Sequence, residues 1–292
     1  MTSAREGGAA QRVLVIGAGG QLGEAFASTL ESPFEVVGRS RAELDVTDPD
    51  AVRATVDSVR PRIVMNCAAY TNVDGAEREP SSALAVNALA VRGLAAVAAQ
   101  RDAIFVHYST DFVFDGKTST PYTEDDEPNP RGAYAVSKLL GEWFAAGAPR
   151  HYILRVESLF GGRRAKSSID RILDGIVEGR EVRAFHDRVV SPSYVHDVVT
   201  ATRALLLSDA ASGVYHCVNS GHTTWSALAR EAARLANKPD AAIRDVSLDD
   251  AGLVPPRPKF SALSNARLAG VGIVMPSWQD ALRRYVPERL ER

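Results

Sequence analysis

This sequence has few cysteines, no excess of charge and no long apolar run, and each shortage excludes a class of protein. Its two cysteines, Cys67 and Cys217, lack the spacing of metal ligands or of a disulfide framework, so free thiols in a reducing cytoplasm are expected. Lys and Arg total 34 against 36 for Asp and Glu, and this near balance gives no electrostatic basis for a nucleic-acid partner. No apolar run approaches the roughly 18 residues of a membrane span, so no membrane association is expected. Residues 1–10 are polar, and a disordered N-terminus is predicted there.

Short β-rich runs alternate with helical patterns through the first half of the chain. This alternation is typical of a parallel sheet with helices on both faces. The predicted strands read as near-continuous apolar runs, as expected of strands buried on both sides, and they cover 12–16, a stretch starting at 36, 63–66, 104–108 and 152–155. The predicted fold is therefore a doubly wound α/β sheet. Beyond Gly161 the alternation loosens, and a smaller C-terminal lobe is expected over the carboxyl edge of the sheet, where ligands bind in such folds.

A glycine-rich turn follows the first predicted strand and opens a helix, with the sequence Gly17-Ala18-Gly19-Gly20-Gln21-Leu22-Gly23. Glycines there permit close approach of the backbone to a pyrophosphate, and the helix N-terminus supplies free N–H groups. A dinucleotide site is predicted, with a plain strand-to-helix turn as the alternative. Arg39 and Arg41 end the second strand, where an acidic residue would suit NAD and arginine suits the 2′-phosphate of NADP. NADPH is the expected cofactor and NADH the alternative.

Tyr134 and Lys138 are one helical turn apart and therefore share a helix face. A lysine ammonium beside the phenol is expected to lower its pKa, so that the phenol can exchange a proton with a carbonyl or alcohol near neutral pH. A half-buried tyrosine beside a solvated lysine is the plainer alternative. At the end of the fourth predicted strand, the Thr110 hydroxyl can hydrogen-bond a substrate oxygen or simply cap the strand.

Together these segments resemble the extended short-chain dehydrogenase/reductase superfamily and, within it, the dTDP-4-dehydrorhamnose reductase family. The matching stretches follow one another along most of the chain and lie at 17–23, 43–48, 66–77, 109–116 and 134–142. The most specific are Ser109-Thr110-Asp111 and Tyr134-Ala135-Val136-Ser137-Lys138. The resemblance implies a Rossmann-like dinucleotide-binding domain (11–162 and 187–220), a substrate-binding lobe (163–186 and 221–292) and a monomer or homodimer.

The activity implied by the resemblance is reduction of the C4 ketone of a dTDP-4-keto-6-deoxyhexose, foremost dTDP-4-dehydrorhamnose to dTDP-L-rhamnose. Tyr134 would then deliver the proton, Lys138 would tune Tyr134 and hold the nicotinamide ribose, and Thr110 would bond the reacting oxygen. The remaining cofactor-binding positions are implied to be Gly17, Gly19, Gly20, Gln21, Leu22, Gly23, Arg39, Asp45, Val46, Ala68, Ala69 and Tyr70. No metal ligands can be assigned, although some family members use magnesium.

The run Arg155-Val156-Glu157-Ser158 departs from the resemblance, because the family usually carries a tryptophan where Ser158 stands. The identity of the sugar therefore stays open, and a 4-ketoreductase for another dTDP-deoxysugar in secondary metabolism is the alternative. The other implied substrate contacts are Thr110, Asp111, Ser191 and Arg257, the last on the diphosphate. A non-catalytic, dinucleotide-binding regulatory subunit and a dehydratase or epimerase are further alternatives, although the reductase-like run after Asp111 and the intact Tyr134, Lys138 and Thr110 favour a reductase.

Overall fold

The computed structural model describes residues 10–292, so the predicted disordered N-terminus lies outside the described residues except for Ala10. The strands are β1 (Gln11–Ile16), β2 (Phe34–Arg39), β3 (Ile63–Asn66), β4 (Ile104–Thr110), β5 (His151–Val156), β6 (Leu159–Phe160), β7 (Val182–Phe185), β8 (Val189–Val190), β9 (Ser193–Tyr194), β10 (Gly213–His216), β11 (Thr223–Thr224) and β12 (Ile243–Val246). The helices are α1 (Gln21–Thr29), α2 (Pro49–Val59), α3 (Val73–Arg78), α4 (Pro80–Leu84), α5 (Ala90–Gln100), α6 (Ala133–Ala145), α7 (Ser168–Val177), α8 (Val195–Leu207), α9 (Trp225–Leu235), α10 (Ala266–Gly270) and α11 (Trp278–Leu290).

The main sheet has six strands in the order β10-β5-β4-β3-β1-β2, and every pairing in it is parallel. The predicted doubly wound α/β sheet is confirmed, and the five predicted strands all belong to it. Because parallel strands end at the same edge, the residues after Ile16, Asn66, Thr110 and Val156 meet there. That edge gathers the glycine turn and most of the predicted site.

Both faces of the sheet are covered by apolar side chains. Along β1, Val13 and Val15 pack into the cluster that contains residues of α1 and α8, while Leu14 and Ile16 pack into the cluster of α2 and α5. This alternation follows from the two-residue period of a strand, and burial on both faces explains the continuous apolar run that β1 shows in the sequence.

A third hydrophobic cluster lies among the later elements and contains residues of α7, α9 and α11, including Trp225, Trp278 and Tyr285. The β7–β12 and β8–β11 pairs and the β6–β9 pair are two-stranded sheets in the same part of the chain. The capping box at the start of α7, in which Ser167 and Asp170 bond each other's backbone, fixes where that helix begins. The predicted division into domains stays a prediction.

The stretch Pro80–Gln100 is a helix long and apolar enough to cross a membrane by length and composition, which the sequence analysis overlooked. Half of its apolar window is buried inside the fold, and a helix in a globular core passes the same test. The stretch contains a π-helical turn, Ala85–Leu89, between α4 and α5. π-Turns are rare and are frequent at functional sites, and this one faces α6.

Candidate active site

The glycine turn after β1 is shaped so that only glycine fits at its first position. Gly17 has a φ of +81°, and a Cβ there would lie 2.7 Å from the backbone nitrogen of Ala68. The backbone N–H groups of Gly17 and Ala18 donate to the Arg39 carbonyl at 2.8 and 2.9 Å, which ties the turn to the end of β2. α1 then begins without a side-chain cap at Gly20. Its first N–H groups are therefore available to an anion.

A cavity of about 810 Å³ opens beside this turn. Its walls are built by the loops that follow β1, β2 and β3, with further residues from α4 and the π-helical turn. The uncapped helix end and the missing side chains of the glycines make a cradle suited to a pyrophosphate, and the flat wall at Ala68 and Ala69 suits a ring system. The residues present therefore fit a dinucleotide.

Most of the predicted cofactor-binding residues line this cavity. They are Gly17, Gly19, Gly20, Asp45, Val46, Ala68, Ala69 and Tyr70. Others support it from behind: Gln21 donates to the Gly161 carbonyl at 2.9 Å, Leu22 is buried in the core, and Gly23 packs against the Gly17 carbonyl. The Arg39 guanidinium donates to the Gly38 carbonyl, whereas Arg41 and Arg164 line the cavity. Arg164 was missed because it follows β6, far along the chain from the turn.

Tyr134 and Lys138 are both buried on one face of α6, behind the cavity wall formed by Tyr70 and Cys67, and neither lines the cavity itself. The Lys138 ammonium donates to the Tyr108 carbonyl at 2.5 Å. Burial lowers the pKa of Lys138 to about 8, and the Glu142 carboxylate opposes that fall. Tyr134 packs in a small cluster with Tyr70, which lines the cavity, and its ring meets Phe112 edge-on at 5.7 Å between centroids. Tyr134 and Lys138 therefore share a buried helix face as predicted, with the ammonium bonded to the Tyr108 carbonyl, and the roles of both side chains stay predictions.

The direction of the Tyr134 pKa differs from the sequence prediction. Burial raises the pKa of the phenol, the Asp111 carboxyl raises it further, and the Thr110 hydroxyl lowers it. Burial dominates because it disfavours the charged phenolate more than any neighbouring group favours it. In this structure Tyr134 is consequently a neutral phenol that can donate a proton.

The sequence analysis missed Asn87, which joins the cavity wall at Tyr70 to α6. Its side chain accepts from the Tyr70 N–H at 2.8 Å and donates both to the Tyr70 carbonyl and to the Ser137 hydroxyl at 3.0 Å. Ser137 in turn donates to the Tyr134 carbonyl at 2.7 Å. The sequence feature that could have indicated Asn87 is a polar residue inside an otherwise apolar helix. Asn87 lies in the π-helical turn, which places its side chain between Tyr70 and Ser137.

A cluster of polar groups surrounds Thr110 at the end of β4. The Thr110 hydroxyl donates to the Asp111 carboxyl at 2.8 Å and accepts from the Phe112 N–H at 3.2 Å. Two further groups that were not predicted lie close by: Glu157 is buried, and Arg188 is half-buried with its guanidinium 5.6 Å from the centre of the Phe112 ring. Glu157 accepts from the Ser191 N–H at 2.7 Å. These groups come from separate loops, which is why no local pattern pointed to them.

The remaining predicted substrate contacts are Ser158, Ser191 and Arg257, and each has a different kind of environment. Ser158 adopts a left-handed backbone conformation with a φ of +46°, and the Ser191 hydroxyl accepts from the Leu263 N–H at 3.2 Å. Arg257, predicted on a diphosphate, forms an ion pair with Asp74 of α3 at 2.6 Å. Within residues 10–292 no group of three or more His, Cys, Asp and Glu side chains is arranged to hold a metal ion.

The sheet, the glycine turn and the buried Tyr134–Lys138 pair define a Rossmann-like short-chain dehydrogenase/reductase of the extended type. The chain belongs to the dTDP-4-dehydrorhamnose reductase family, since residues 11–290 match the family described as RmlD substrate binding domain.

Relatives and a solved structure agree over nearly the whole length. A dTDP-4-dehydrorhamnose reductase of Burkholderia thailandensis is 34% identical over 96% of this chain and 100% of its own. A probable dTDP-4,6-dihydroxy-2-methyloxan-3-one 4-ketoreductase of Streptomyces antibioticus is 35% identical over 96% of each. The crystal structure of dTDP-4-dehydrorhamnose reductase from Bacillus anthracis in complex with NADP superposes with a TM-score of 0.90 and 32% identity, over 95% of this chain and 99% of that one.

Proposed function

We propose that this protein is an NADPH-dependent reductase of the C4 ketone of a dTDP-4-keto-6-deoxyhexose, foremost of dTDP-4-dehydrorhamnose to dTDP-L-rhamnose. The observation that carries this proposal is the buried Tyr134–Lys138 pair of α6 beside a dinucleotide-sized cavity, in a chain of this family. Thr110 lies at the neighbouring strand end, close enough to affect the pKa of Tyr134. The three groups are those that a carbonyl reduction needs.

The chain's own residues hold and move the proton. When bound, the reduced nicotinamide supplies the hydride that a ketone carbon accepts. Tyr134 gives its proton to the oxygen of the former ketone, and burial keeps that proton on the phenol until then. Lys138, next to Cys67 of the cavity wall, places a positive charge beside the site and stabilises negative charge as it develops. Burial of Thr110 and Tyr134 excludes water from the reacting oxygen.

We infer a preference for NADPH from the cations at the adenosine end of the cavity. Arg41 and Arg164 line the cavity together with Ser40, and a guanidinium can bind a phosphate through two parallel hydrogen bonds. Asp45 lies in the same wall, but its carboxylate accepts from the N–H and hydroxyl of Thr47. We place the reaction in the cytoplasm, because both cysteines are free thiols, and expect a monomer or homodimer.

A second candidate is reduction of a different dTDP-deoxysugar. Ser158 stands where the family usually has tryptophan, and its left-handed backbone is a conformation that bulky residues rarely adopt. The Streptomyces relative named for another keto-sugar is as similar to this chain as the dehydrorhamnose reductases are. Product analysis by NMR after incubation with keto-sugars of different C2 and C3 substitution distinguishes the two candidates.

The central test is oxidation of NADPH with a dTDP-4-keto-6-deoxysugar, followed by absorbance, in wild type and in Tyr134→Phe. Loss of the proton donor is expected to lower kcat by about 10²- to 10⁴-fold with NADPH affinity unchanged. Tyr215→Phe, which removes a hydroxyl that donates to the Ala211 carbonyl away from the site, is the matched control and keeps its kcat. Near-normal turnover by Tyr134→Phe, or no NADPH oxidation by wild type with any of these sugars, contradicts the proposal.

A further inference from the structure

Two buried carboxyl groups, Asp111 and Glu157, lie close to Thr110. Asp111 is 3% and Glu157 2% exposed, and they come from the loops after β4 and β5. Ser261 lies between them: its hydroxyl donates to Glu157 at 2.5 Å and also faces Asp111. In the described part of the chain, Arg188 is the cation that faces both carboxyls, Tyr134 faces Asp111 from α6, and Arg257 faces Arg188.

The pair has more negative than positive charge if every group is ionised. Burial raises the pKa of Asp111 and of Glu157, and the Asp111 charge raises that of Glu157 further, while Arg188 favours ionisation of both. One guanidinium can balance one carboxylate, and a second buried carboxylate is left without a counter-charge. Charge balance therefore favours a pair that shares one proton and titrates as a unit.

Hydrogen-bond partners indicate which carboxyl holds that proton. Glu157 accepts from the Ser191 N–H through one oxygen and from the Ser261 hydroxyl through the other, and both donors suit a carboxylate. Asp111 receives the Thr110 hydroxyl on Oδ1, but its buried Oδ2 has no partner among residues 10–292. A buried carboxylate oxygen without a donor costs about 1–3 kcal/mol or more. A charge on Asp111 raises the pKa of Glu157 and by itself favours the proton on Glu157. We assign the proton from the hydrogen bonds instead, because Glu157 accepts a backbone N–H whereas Asp111 Oδ2 accepts none, and therefore place it on Asp111.

The Thr110 hydroxyl has one proton to give and two lone pairs to receive with. One lone pair takes the Phe112 N–H at 3.2 Å. If Asp111 is ionised, the single proton of Thr110 is committed to Asp111 at 2.8 Å, and none remains for a ketone oxygen. If Asp111 is protonated, it donates along the same 2.8 Å contact into the second lone pair, and the Thr110 proton is free to turn toward the ketone. The protonation of Asp111 thus decides whether Thr110 is an acceptor or a donor.

We propose that the Glu157 carboxylate keeps Asp111 protonated, and that Asp111 donates to Thr110 so that the Thr110 hydroxyl donates to the ketone oxygen beside Tyr134. Asp111 and Glu157 are then positioning residues that act through Thr110. The role in turnover rests on the proposed reductase function, whereas the location of the proton does not. A neutral carboxylic acid that serves as a donor in an apolar site is an established means of stabilising an oxyanion.

The first test is the pH profile of kcat for Glu157→Gln, which keeps the shape of the side chain and removes its charge. Without that charge Arg188 holds Asp111 ionised, so activity is lost at a lower pH than in wild type and kcat at neutral pH falls about tenfold or more. KM changes little, because the lost interaction forms with the developing oxyanion. Glu157 is not among the groups that shift the pKa of Lys138, so the contribution of Lys138 to the profile is expected to be the same in both proteins. An equal fall of kcat at every pH is the signature of a merely structural role and overturns the proposal.

Variants of Asp111 and Thr110 provide an independent check if Glu157→Gln is poorly folded. Asp111→Asn retains an N–H donor toward Thr110 and is expected to lose less of kcat than Asp111→Ala, and without the pH-dependent loss. Thr110→Val removes the final donor and is expected to lower kcat about 10²- to 10³-fold. Because Asp111 acts through Thr110, the double variant Thr110→Val/Asp111→Ala is expected to lose no more than Thr110→Val alone. Additive losses, or equal losses for the Asn and Ala variants, overturn the proposal.

A readout without substrate separates this inference from the proposed function. Infrared spectra of protein carrying ¹³C-labelled aspartate carboxyls are expected to show a protonated-carboxyl band at neutral pH that is absent in Asp111→Asn and weakened in Glu157→Gln. If wild type reduces the keto-sugar and lacks this band, the inference fails alone. If the band is present and no keto-sugar is reduced, the proposed function fails and the assignment of the proton to Asp111 stands.

Discussion

Replacing Lys138 by methionine is expected to make the fold more stable while it abolishes activity. Lys138 is 2% exposed, and burial lowers its pKa from the ordinary 10.5 to about 8. Since each pH unit is worth about 1.36 kcal/mol, keeping the ammonium charged in the fold costs about 3 kcal/mol at pH 7. The hydrogen bond from the ammonium to the Tyr108 carbonyl offsets about 1 kcal/mol of that cost. Lys138→Met is therefore expected to raise the free energy of unfolding by about 2 kcal/mol.

The pH dependence of this gain identifies its cause. Below pH 8 the lysine is charged in both folded and unfolded chains, so the burial cost is present in full. Between about pH 8 and 10.5 the unfolded chain holds a proton that the folded chain has released, so the stability of wild type rises with pH. Lys138→Met has no such proton. Its advantage over wild type is therefore expected to shrink across that window.

Urea unfolding at pH 7 and at a pH above 9, followed by fluorescence, measures both quantities. Lys238→Met is the matched control, because Lys238 is exposed and its replacement is expected to leave the free energy of unfolding unchanged at either pH. A Lys138→Met variant that is less stable than wild type at pH 7, or more stable by the same amount at both pH values, refutes the reasoning that burial of the charge dominates.

Three other variants examine the ion pair, the glycine turn and the cofactor preference. Glu142→Gln leaves the Arg155 guanidinium buried without the carboxylate it binds at 2.7 and 2.9 Å, and urea unfolding should show a loss of about 3–5 kcal/mol. Gly17→Ala puts a Cβ into the loop after β3, so NADPH affinity measured by fluorescence should fall at least about tenfold, whereas Gly93→Ala, with open space around it, should keep wild-type affinity. Arg41→Ala should weaken NADPH about tenfold and leave NADH unchanged; equal changes for both cofactors would argue against a 2′-phosphate contact.

The parts of the molecule that local sequence determines were predicted well. β3 spans the predicted stretch 63–66. α2 begins at Pro49, where Asp48 caps it through the N–H groups of Asp50 and Ala51, so the signal for its start is local too. The glycine turn depends on a few adjacent residues and a positive φ at Gly17, so its signal is contained in one short stretch. Such features can be inferred without knowing what packs against them.

The groups that tune the chemistry could not be predicted, because burial and long-range contacts decide them. A lysine one turn away suggested a lowered phenol pKa, but the environment of Tyr134 raises it. Asn87 reaches the site through a π-helical turn that no residue pattern announces. Glu157 and Arg188 meet Asp111 from loops after different strands, so their proximity is visible only once the chain has folded.

The division between these two kinds of feature also explains why the cofactor is easier to infer than the sugar. The cavity for the dinucleotide is built largely from backbone, around glycines and small residues at the ends of β1 and β3, and such a cradle tolerates little change. The surroundings of Thr110 are side chains from separate loops, where one replacement changes a hydrogen bond without disturbing the sheet. Two relatives of this chain, 34% and 35% identical to it, are named as reductases of different keto-sugars. Such a difference in substrate is expected when side chains near Thr110 can change while the sheet stays the same. Ser158, where the resemblance implied a tryptophan, directly follows Glu157, so we propose that this loop influences the choice of sugar.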